Sequence, residues 1–400
     1  MKPTSQEKTA RRALTEVPAR PRKGTKPSPP ACRSLPRRIF TWIVLVVNVL
    51  IAIGLIFSAY AGYIDPRTWG PATLVVFTFP GWLILAFLAA VADLIWWRRT
   101  SLIPILAMVC CASAITDFFP LNMPHGEMSA SQKKHAFKVL TYNVLAFADI
   151  SGEPPVDYNR QINYILRENA DVVCIQEAYT LRPWAQEKVT KAQSDSIHRM
   201  YPYVYFSNEI LCLLSKYPAE AIPIDFANAP GYGSIAGWRI YVGDKVVNVF
   251  NVHLRSLFFE PKDKELFKNV AHLDSIKRSD LSRIRSQVLS KVVTAARVRA
   301  DQVDDLQRYI RRFGGENALV CGDFNDPVGC YALRTLCADD HFRQAYADAA
   351  FGPTITYNAN DFYFRIDHIL YRGCFKPWSV HRGSLRASDH YPLSATFLLE

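Results

Sequence analysis

The stretch NALVCGDFNDP, at residues 317–327, places an aspartate and an asparagine directly after an apolar run. Residues 318–321 are typical of a buried strand, and Gly322 leads from them to Asp323, Phe324 and Asn325. Because side chains alternate along extended backbone, Asp323 and Asn325 are predicted to share one face while Phe324 points into the core. A carboxylate and an amide would then reach one reacting centre. A plain turn is the alternative explanation.

Polar side chains recur at or near the carboxyl ends of the predicted strands. The set consists of Asn143, Glu177, His253, Asp323, Asn325, Asp367, Asp389 and His390. Each member alone has a local explanation, as a helix cap, a core histidine or a turn residue. Eight of them in this order are more than chance predicts, so we expect them to form one site.

Strands and helices alternate from about residue 137 onward. FKVLTYN, DVVCIQEA and KVVNVFNVHLRS are typical strands, and residues 157–170 have apolar side chains at helical spacing. Two further strands, at 201–207 and 210–218, are predicted to join through a tight turn at 208–209. Residues 261–312 are predicted to be mostly helical. This order is typical of a layered α/β fold.

Composition limits the class of protein. The 400 residues are 50% hydrophobic and 21% charged, which fits a globular protein with a membrane portion. The formal net charge is +11, but residues 1–38 hold eleven basic and only two acidic residues. This tail is rich in proline, is predicted to be disordered and carries most of the charge. The rest of the chain is close to neutral, which weakens the case for a nucleic-acid groove.

Three apolar segments follow the tail. Residues 39–64 carry no charge and exceed the roughly 20 residues that cross a bilayer as a helix. Residues 70–97 form a second apolar run that ends in tryptophans followed by arginines, which is typical of an interfacial anchor. Residues 102–116 are apolar but shorter. Residues 39–118 are therefore predicted to form a transmembrane region with two or three helices, followed by a linker at 119–135.

The positive charges predict how these helices are oriented. The basic tail and the arginines at 98 and 99 should stay in the cytoplasm, with the loop at 65–69 outside. A third span would then export everything after about residue 120 from a bacterial inner membrane. If 102–116 lies only at the interface, the C-terminal portion stays in the cytoplasm instead. A cleaved signal peptide is the alternative for the first segment, but the long basic leader argues against it.

Six short motifs carry a resemblance to a known family. They are TYNV at 141–144, CIQEA at 174–178, NVHLRS at 251–256, GDFND at 322–326, RIDHIL at 365–370 and SDHYPL at 388–393. In this order they resemble the endonuclease/exonuclease/phosphatase superfamily over residues 136–400. The resemblance implies an α/β fold in which a two-sheet β-sandwich is flanked by helices, as a DNase-like four-layer sandwich. The N-terminal transmembrane helices would precede it.

The resemblance also implies roles for the polar residues. The metal ligands would be Glu177, Asn143 and Asp389. The catalytic residues would be Asp323, Asn325, His253, His390 and Asp367, with Arg255 as a substrate-binding residue. So sparse a set of oxygen ligands suits Mg²⁺, with Mn²⁺ as an alternative, better than Zn²⁺. His368 points away from Asp367 by strand alternation and is predicted to be a packing residue.

The implied activity is hydrolysis of a phosphodiester or phosphomonoester by in-line attack of water. The substrate could be a nucleic acid, a lipid head group or a sugar phosphate, because this fold hosts all three. The other expected partner is the lipid bilayer, and no obligate protein partner is evident. The alternative is a non-catalytic membrane binding or sensing module with the same fold. Because every polar position of the family pattern is filled, the enzyme is favoured.

Overall fold

The computed structural model describes residues 35–96, 99–179, 188–207, 210–224, 234–256, 278–359 and 363–400. The basic tail up to residue 34, the turn at 208–209 and residues 261–277 of the predicted helical insert lie outside these ranges. The chain divides into two compact units, Met1–Val47 and Asn48–Glu400. In the first unit, the described part is the beginning of one helix. The second unit contains everything discussed below.

The N-terminal apolar segments form helices. Helix α1 is Leu35–Tyr60, α2 is Ala72–Phe77, α3 is Phe79–Ile95, α4 is Leu102–Cys110 and α5 is Ala112–Phe118. Within the described residues, Arg38–Tyr63 is long and apolar enough to cross a membrane. The segments Arg99–Cys110 and Ala112–Phe118 would qualify together as one span with a 65° bend, whereas Phe79–Ile95 is shorter. Length and composition thus support one span, or two with the bent pair.

The N-terminal helices pack against one another. Leu55, Ala86 and Cys111, from α1, α3 and the α4–α5 junction, are fully buried in one apolar cluster. Asp93 is buried beside them, and its carboxylate accepts hydrogen bonds from Asn48 and Thr100 at 2.6 Å each. Buried carboxylates require such partners. This pairing fixes the end of α3 against α1.

Two six-stranded sheets follow. The strands are β1 Ala136–Asn143, β2 Val172–Gln176, β3 Tyr203–Ser207, β4 Leu211–Ser215, β5 Ala219–Ala221, β6 Ser234–Val242, β7 Lys245–His253, β8 Ala318–Asp323, β9 Arg343–Gln344, β10 Asp367–Arg372, β11 Phe375–Arg382 and β12 Leu393–Leu399. The first sheet has the order β11-β12-β1-β2-β4-β3, and the second has the order β5-β6-β7-β8-β10-β9. The pairs β1–β2 and β7–β8 are parallel. Their carboxyl ends therefore lie at the same edge of each sheet.

Helices connect the strands. They are α6 Ala130–Lys134, α7 Arg160–Glu168, α8 Lys191–Met200, α9 Arg278–Phe313, α10 Tyr331–Asp339 and α11 Ala345–Ala349. Apolar residues of α7 and α8 pack on the first sheet, and those of α9 and α10 pack on the second. The largest core cluster lies between the sheets and includes Val139, Trp238 and Leu319. The predicted four-layer sandwich is confirmed.

The segment predicted as a linker, 119–135, is docked on the sandwich. Leu121 forms a β-bridge with Phe351, and Gly352 donates a 2.7 Å hydrogen bond to the carbonyl of Pro120. Asn122 donates to the carbonyls of Ala347 and Ala350 at 2.8 and 3.0 Å. These backbone groups could not be matched from sequence, because their partners lie more than 200 residues away. The chain therefore passes from α5 to β1 along the sandwich surface.

Gly322 is required by a close approach of two strands. Its φ is +149°, and a Cβ atom there would lie 1.9 Å from the carbonyl oxygen of Val252 on β7. Val252 and Gly322 are register partners in the parallel pair that leads to His253 and Asp323. The glycine of the GDFND motif thus lets these two strand ends lie side by side.

Gly322→Ala should lower the free energy of unfolding by about 1–3 kcal/mol, because the added methyl group overpacks this contact. Thermal unfolding of the full chain in detergent, followed by intrinsic fluorescence, measures the effect. Gly126→Ala is the matched control, since no heavy atom lies within 4 Å of its Cβ position. Equal unfolding midpoints for the two variants would contradict this account.

Candidate active site

Four predicted site residues lie at the carboxyl ends of the two parallel strand pairs. Asn143, His253 and Asp323 are the last residues of β1, β7 and β8, and Glu177 directly follows β2. Asn143 joins the two sheets at this edge: its Nδ2 donates to Glu177 Oε1 at 3.0 Å and to Asp323 Oδ2 at 3.1 Å. The structure thus brings these side chains together across the sandwich.

Glu177 adopts an uncommon backbone conformation for a residue with a side chain. Its φ is +58°, in the left-handed region. The neighbouring turn is left-handed as well, with positive φ at Leu145, Ala146 and Phe147, and Ala146 donates to the Glu177 carbonyl at 3.1 Å. Such conformations concentrate at functional sites, where the surrounding structure holds them. The Glu177 side chain remains 24% exposed, so a ligand can reach it.

Asp323 is the most enclosed carboxylate of the group. Its side chain is 1% exposed, and it accepts hydrogen bonds from the Asn325 amide at 2.9 Å and from Asn143. His253 Nε2 lies 3.7 Å from Asp323 Oδ2 and 3.8 Å from Glu177 Oε1. Burial raises the pKa of Asp323 above its usual range, and the imidazole of His390 offsets part of that shift. A carboxylate with a raised pKa is a better proton acceptor.

His390 lies between two buried carboxylates. Its Nδ1 is 2.8 Å from Asp367 Oδ2, and its Nε2 is 3.5 Å from Asp323 Oδ2. Burial by itself would lower the pKa of His390, but Asp367 and Asp323 outweigh it and raise that pKa to about 10. The ring is therefore an imidazolium at neutral pH. A fixed positive charge here can bind a phosphate anion.

Asp367 is the first residue of β10. It therefore lies at the amino end of a strand and not at the carboxyl end that the sequence predicts. Strand β10 runs antiparallel to β8, and Asp367 is the register partner of Asp323. The amino end of an antiparallel strand reaches the same edge as the carboxyl end of its neighbour. His368, next in the chain, is 3% exposed, and burial lowers its pKa to about 3. Its predicted packing role is confirmed.

Asp389 lies in the loop before β12. Burial raises its pKa, and the charges of Glu177 and Asp323 raise it further, while His390 acts in the opposite direction. Ser388, its neighbour, donates to the Asn143 carbonyl at 2.8 Å and so ties this loop to β1. Asp389 thus belongs to the same group of carboxylates.

Asn325 departs from the predicted arrangement. Strand β8 ends at Asp323, and Asn325 has a φ of +50°, so strand alternation does not extend to it. Its Nδ2 donates to the carbonyl of Leu254 at 3.0 Å. Phe324 is fully buried, as predicted. The motif is therefore a tight turn stabilised by Asp323 and Leu254, and Asn325 is held beside the β7 end by this turn.

Arg255 follows His253 by two residues and is half-buried. Its backbone is held by α9: the amide donates to Gln302 Oε1 at 2.9 Å, and the carbonyl accepts from Arg299 Nη1 at 2.9 Å. Arg299 is 1% exposed and also lies 2.8 Å from Asp326, in the loop after Asn325. Helix α9 thus supports the loops at the ends of both β7 and β8.

Sequence reasoning missed a buried polar bridge below the site. Gln176 Nε2 donates to Asn251 Oδ1 at 2.7 Å, which links β2 of the first sheet to β7 of the second. Asn251 in turn donates to the carbonyls of Ile175 and Cys212 at 3.0 and 3.2 Å. Both side chains are fully buried. Their signal in the sequence was a polar residue near the end of each apolar strand, with Gln176 directly before Glu177 and Asn251 two residues before His253.

The side chains at this edge include donors that fit a divalent cation. Asp323, Asp367 and His390 are three described residues whose ligand atoms lie within 4.8 Å of one another. His390 is a poor ligand, because its Nδ1 is bound to Asp367 and its Nε2 faces Asp323. The oxygens of Glu177, Asp389 and Asn143 lie beside this group and provide hard donors, which fit Mg²⁺ or a similar ion. A cation there would also offset the repulsion between these carboxylates.

Family comparison accounts for the whole group of residues. The model of the Endonuclease/Exonuclease/phosphatase family matches residues 140–390. The chain belongs to the endonuclease/exonuclease/phosphatase family. It is a hydrolase of phosphoester bonds in a divalent-metal-dependent family, and the matched range includes every site residue named above. A second model, of a domain of unknown function (DUF8431), matches residues 38–118.

Three solved structures are similar to this chain at low sequence identity. An endonuclease/exonuclease/phosphatase from Beutenbergia cavernae has 18% identity and a TM-score of 0.45, over 66% of this chain and 72% of that chain. Truncated TDP2 from Caenorhabditis elegans has 17% identity and a TM-score of 0.42, over 67% and 99%. The human Nocturnin catalytic domain with bound sulfate has 15% identity and a TM-score of 0.41, over 67% and 94%. The search of curated proteins found no matching relative.

Asp367→Asn should shift the alkaline limb of the pH–rate profile downward by roughly 1–3 pH units, because His390 loses its nearest opposite charge. Wild-type His390 keeps its proton to about pH 10, so the rate ratio between wild type and variant should grow as pH rises from 6 to 9. Hydrolysis of a chromogenic phosphodiester by the full chain in detergent gives both profiles.

Asp348→Asn is the control for this change. Asp348 also accepts hydrogen bonds, from Tyr371 and Arg343, but these lie outside the site. Its profile should match that of the wild type. If Asp367→Asn lowered the rate by the same factor at every pH, Asp367 would not set the protonation of His390.

Proposed function

We propose that this chain is a membrane-anchored, Mg²⁺-dependent phosphoesterase that hydrolyses a phosphodiester or phosphomonoester by in-line attack of water. The observation that carries the proposal is the position of the His390 ring, held between Asp367 and Asp323 and next to the side-chain oxygens of Glu177 and Asn143. A positive donor, a proton acceptor and a cation site lie together there. Hydrolysis of a phosphoester needs all three.

In this proposal each polar residue of the site has its own role. Glu177, Asn143 and Asp389 hold Mg²⁺, which when bound neutralises charge on the phosphate oxygens. Asp323 accepts a proton from the attacking water while the water oxygen bonds to phosphorus and the bond to the leaving oxygen breaks, and the leaving oxygen takes up a proton from solvent. His390 and His253 donate hydrogen bonds to the phosphoryl oxygens, and Asp367 keeps His390 charged. Asn325 and Arg255 are further substrate contacts beside His253.

Glu177→Gln should raise the Mg²⁺ concentration for half-maximal activity by about 10–100-fold or more, because a charged oxygen ligand is lost. The assay is hydrolysis of bis(p-nitrophenyl) phosphate by the full chain at graded Mg²⁺. Glu220→Gln, at an exposed carboxylate on β5, should behave as the wild type. Full activity of the wild type in excess chelator would overturn the metal dependence, and a folded but inactive protein would favour the sensing module.

We further propose that α1 to α5 anchor the chain in a bacterial inner membrane, with a cytoplasmic N-terminus and an exported catalytic domain. Two contacts support this orientation. Arg67, in the loop between α1 and α2, lies 3.0 and 2.5 Å from Asp301 and Asp304 of α9. Asp117, at the end of α5, lies 2.8 Å from Arg334 of α10. The first loop and the exit of the last helix are thus on the side of the catalytic domain, as an odd number of crossings requires.

A topology reporter tests the orientation. Alkaline phosphatase fused after Glu400 should be active and a fluorescent protein fused there should be dark, because the C-terminus is expected outside the cytoplasm. The same reporters inserted at Arg99, between α3 and α4, should give the reverse pattern. Fluorescence at Glu400 would show that the catalytic domain stays in the cytoplasm.

A further inference from the structure

The loops that carry the catalytic groups are also the loops that meet the N-terminal helices. Cys330, four residues after Asp326, is buried with Ala61 and Val76 from the α1–α2 region. A Cβ on Gly62 would lie 1.7 Å from the carbonyl oxygen of Gly329, so the two backbones are in direct contact. The edge of the sandwich that holds the site therefore faces the helices.

The segment before Asp367 makes a second set of contacts with the helices. The Phe364 ring stacks edge-on against Phe77 of α2 at 5.4 Å between centroids. Arg365 donates a 2.5 Å hydrogen bond to the Asp117 carbonyl at the end of α5. Both residues lie within three positions of Asp367. Helix ends and the catalytic aspartate are thus joined by one short stretch of chain.

The same segment supports His390. Tyr357 forms β-bridges with Phe364 on one side and with His390 on the other. Thr356 Oγ1 accepts the amides of Ile366 and Asp367 at 3.0 Å each, and the Thr356 carbonyl accepts the amide of Tyr391 at 2.6 Å. The backbone at Thr356 and Tyr357 therefore lies between Phe364, which contacts the helices, and His390.

A cavity of about 320 Å³ opens at this junction. Its apolar walls include Phe118 of α5, Val328, Ile355 and Phe364, and the side chains of Arg365 and Arg382 also line it. This volume is at the lower end of the range for small-ligand sites. Arg382 lies over the ring of Tyr391, next to His390, at 4.2 Å. The cavity thus combines apolar walls with positive charge beside the catalytic loops.

Exposed apolar side chains continue from the cavity along the surface. Leu121, Phe351 and Tyr363 are 65%, 60% and 57% exposed. Leu121 and Phe351 are bridge partners, and Tyr363 lines the cavity. Grouped apolar exposure of this kind marks a contact surface, and a tyrosine is typical of the head-group level of a bilayer. These residues lie where the last N-terminal helix joins the sandwich.

We infer that the substrate is an anionic phosphoester of a membrane amphiphile, whose apolar portion enters the cavity while its phosphate reaches the metal site. This inference rests on the proposed function and names its substrate class. A lipid in the bilayer would meet the helix ends, the exposed apolar side chains and the cavity before it meets His390. A nucleic acid would instead require a basic groove, and the lining offers two arginines among apolar walls.

A series of p-nitrophenyl alkyl phosphates tests this inference without knowledge of the natural lipid. The full chain in nanodiscs is assayed with Mg²⁺ on the methyl, butyl and octyl esters. KM should fall by up to about fourfold for each added methylene until the cavity is filled, because each methylene leaves water. The value of kcat should change little, because the reacting phosphate is the same.

Ile355→Asp should abolish the dependence of KM on chain length, so that the KM values of the methyl and octyl esters become equal within about twofold. Ile355→Thr is the milder variant, in case the aspartate prevents folding, and should weaken the dependence. Val246→Asp is the matched control, because Val246 is 39% exposed at the opposite end of β7. It should keep the wild-type dependence on chain length.

The outcomes separate the two levels of the proposal. Hydrolysis of all esters with a flat KM, unaffected at Ile355, would overturn the amphiphile while the phosphoesterase stands. Cleavage of a duplex oligonucleotide with a higher kcat/KM than the octyl ester would also overturn it, in favour of a nuclease. No Mg²⁺-dependent hydrolysis of any ester would overturn the proposed function itself.

Discussion

The buried group of Asp323, Asp367 and His390 is the constraint on which the rest of the structure depends. Two carboxylates and an imidazolium are removed from water at the edge of the sandwich, each at most 4% exposed. Buried charges of this kind cost several kcal/mol each unless every one is paired. The ends of β8, β10 and the loop before β12 must therefore arrive together, because any one charge left alone would be strongly destabilising. The site and the fold are thus formed by the same interactions.

The sheets make this pairing feasible through their strand directions. Parallel pairs bring Asn143 and Glu177 to one edge, and His253 and Asp323 to the facing one, while antiparallel β10 delivers Asp367 by its amino end. Below them, Gln176 and Asn251 hold the two sheets in register with fully buried hydrogen bonds. Such a bridge has directional requirements that apolar packing lacks, so it fixes how far one sheet can slide over the other. The carboxylates of the site, which come from both sheets, are therefore held in a fixed relative position.

The N-terminal helices also pack against the loops that hold the site. Helix α9 supports the loops after β7 and β8 through the ion pair of Arg299 with Asp326 and the hydrogen bond of Gln302 with the Arg255 amide. Asp301 on the same helix forms an ion pair with Arg67, between α1 and α2. The loop before β10 packs on α2 and α5. Because the edge of the sandwich that holds the site packs against these helices, its position relative to them is fixed.

Sequence by itself determined strands β1 to β4, β7 and β8, the polar residues of the site, the buried positions of Phe324 and His368, and the length of the first apolar helix, because these follow from local periodicity and residue type. Tertiary structure decided the left-handed turns at Glu177 and Asn325, the antiparallel entry of Asp367, the raised pKa of His390 and the docking of residues 119–135. Each of these depends on partners distant in the chain. Neither charge pairing nor backbone strain is encoded in a short window, since both are stable only when the whole fold supplies the opposing groups.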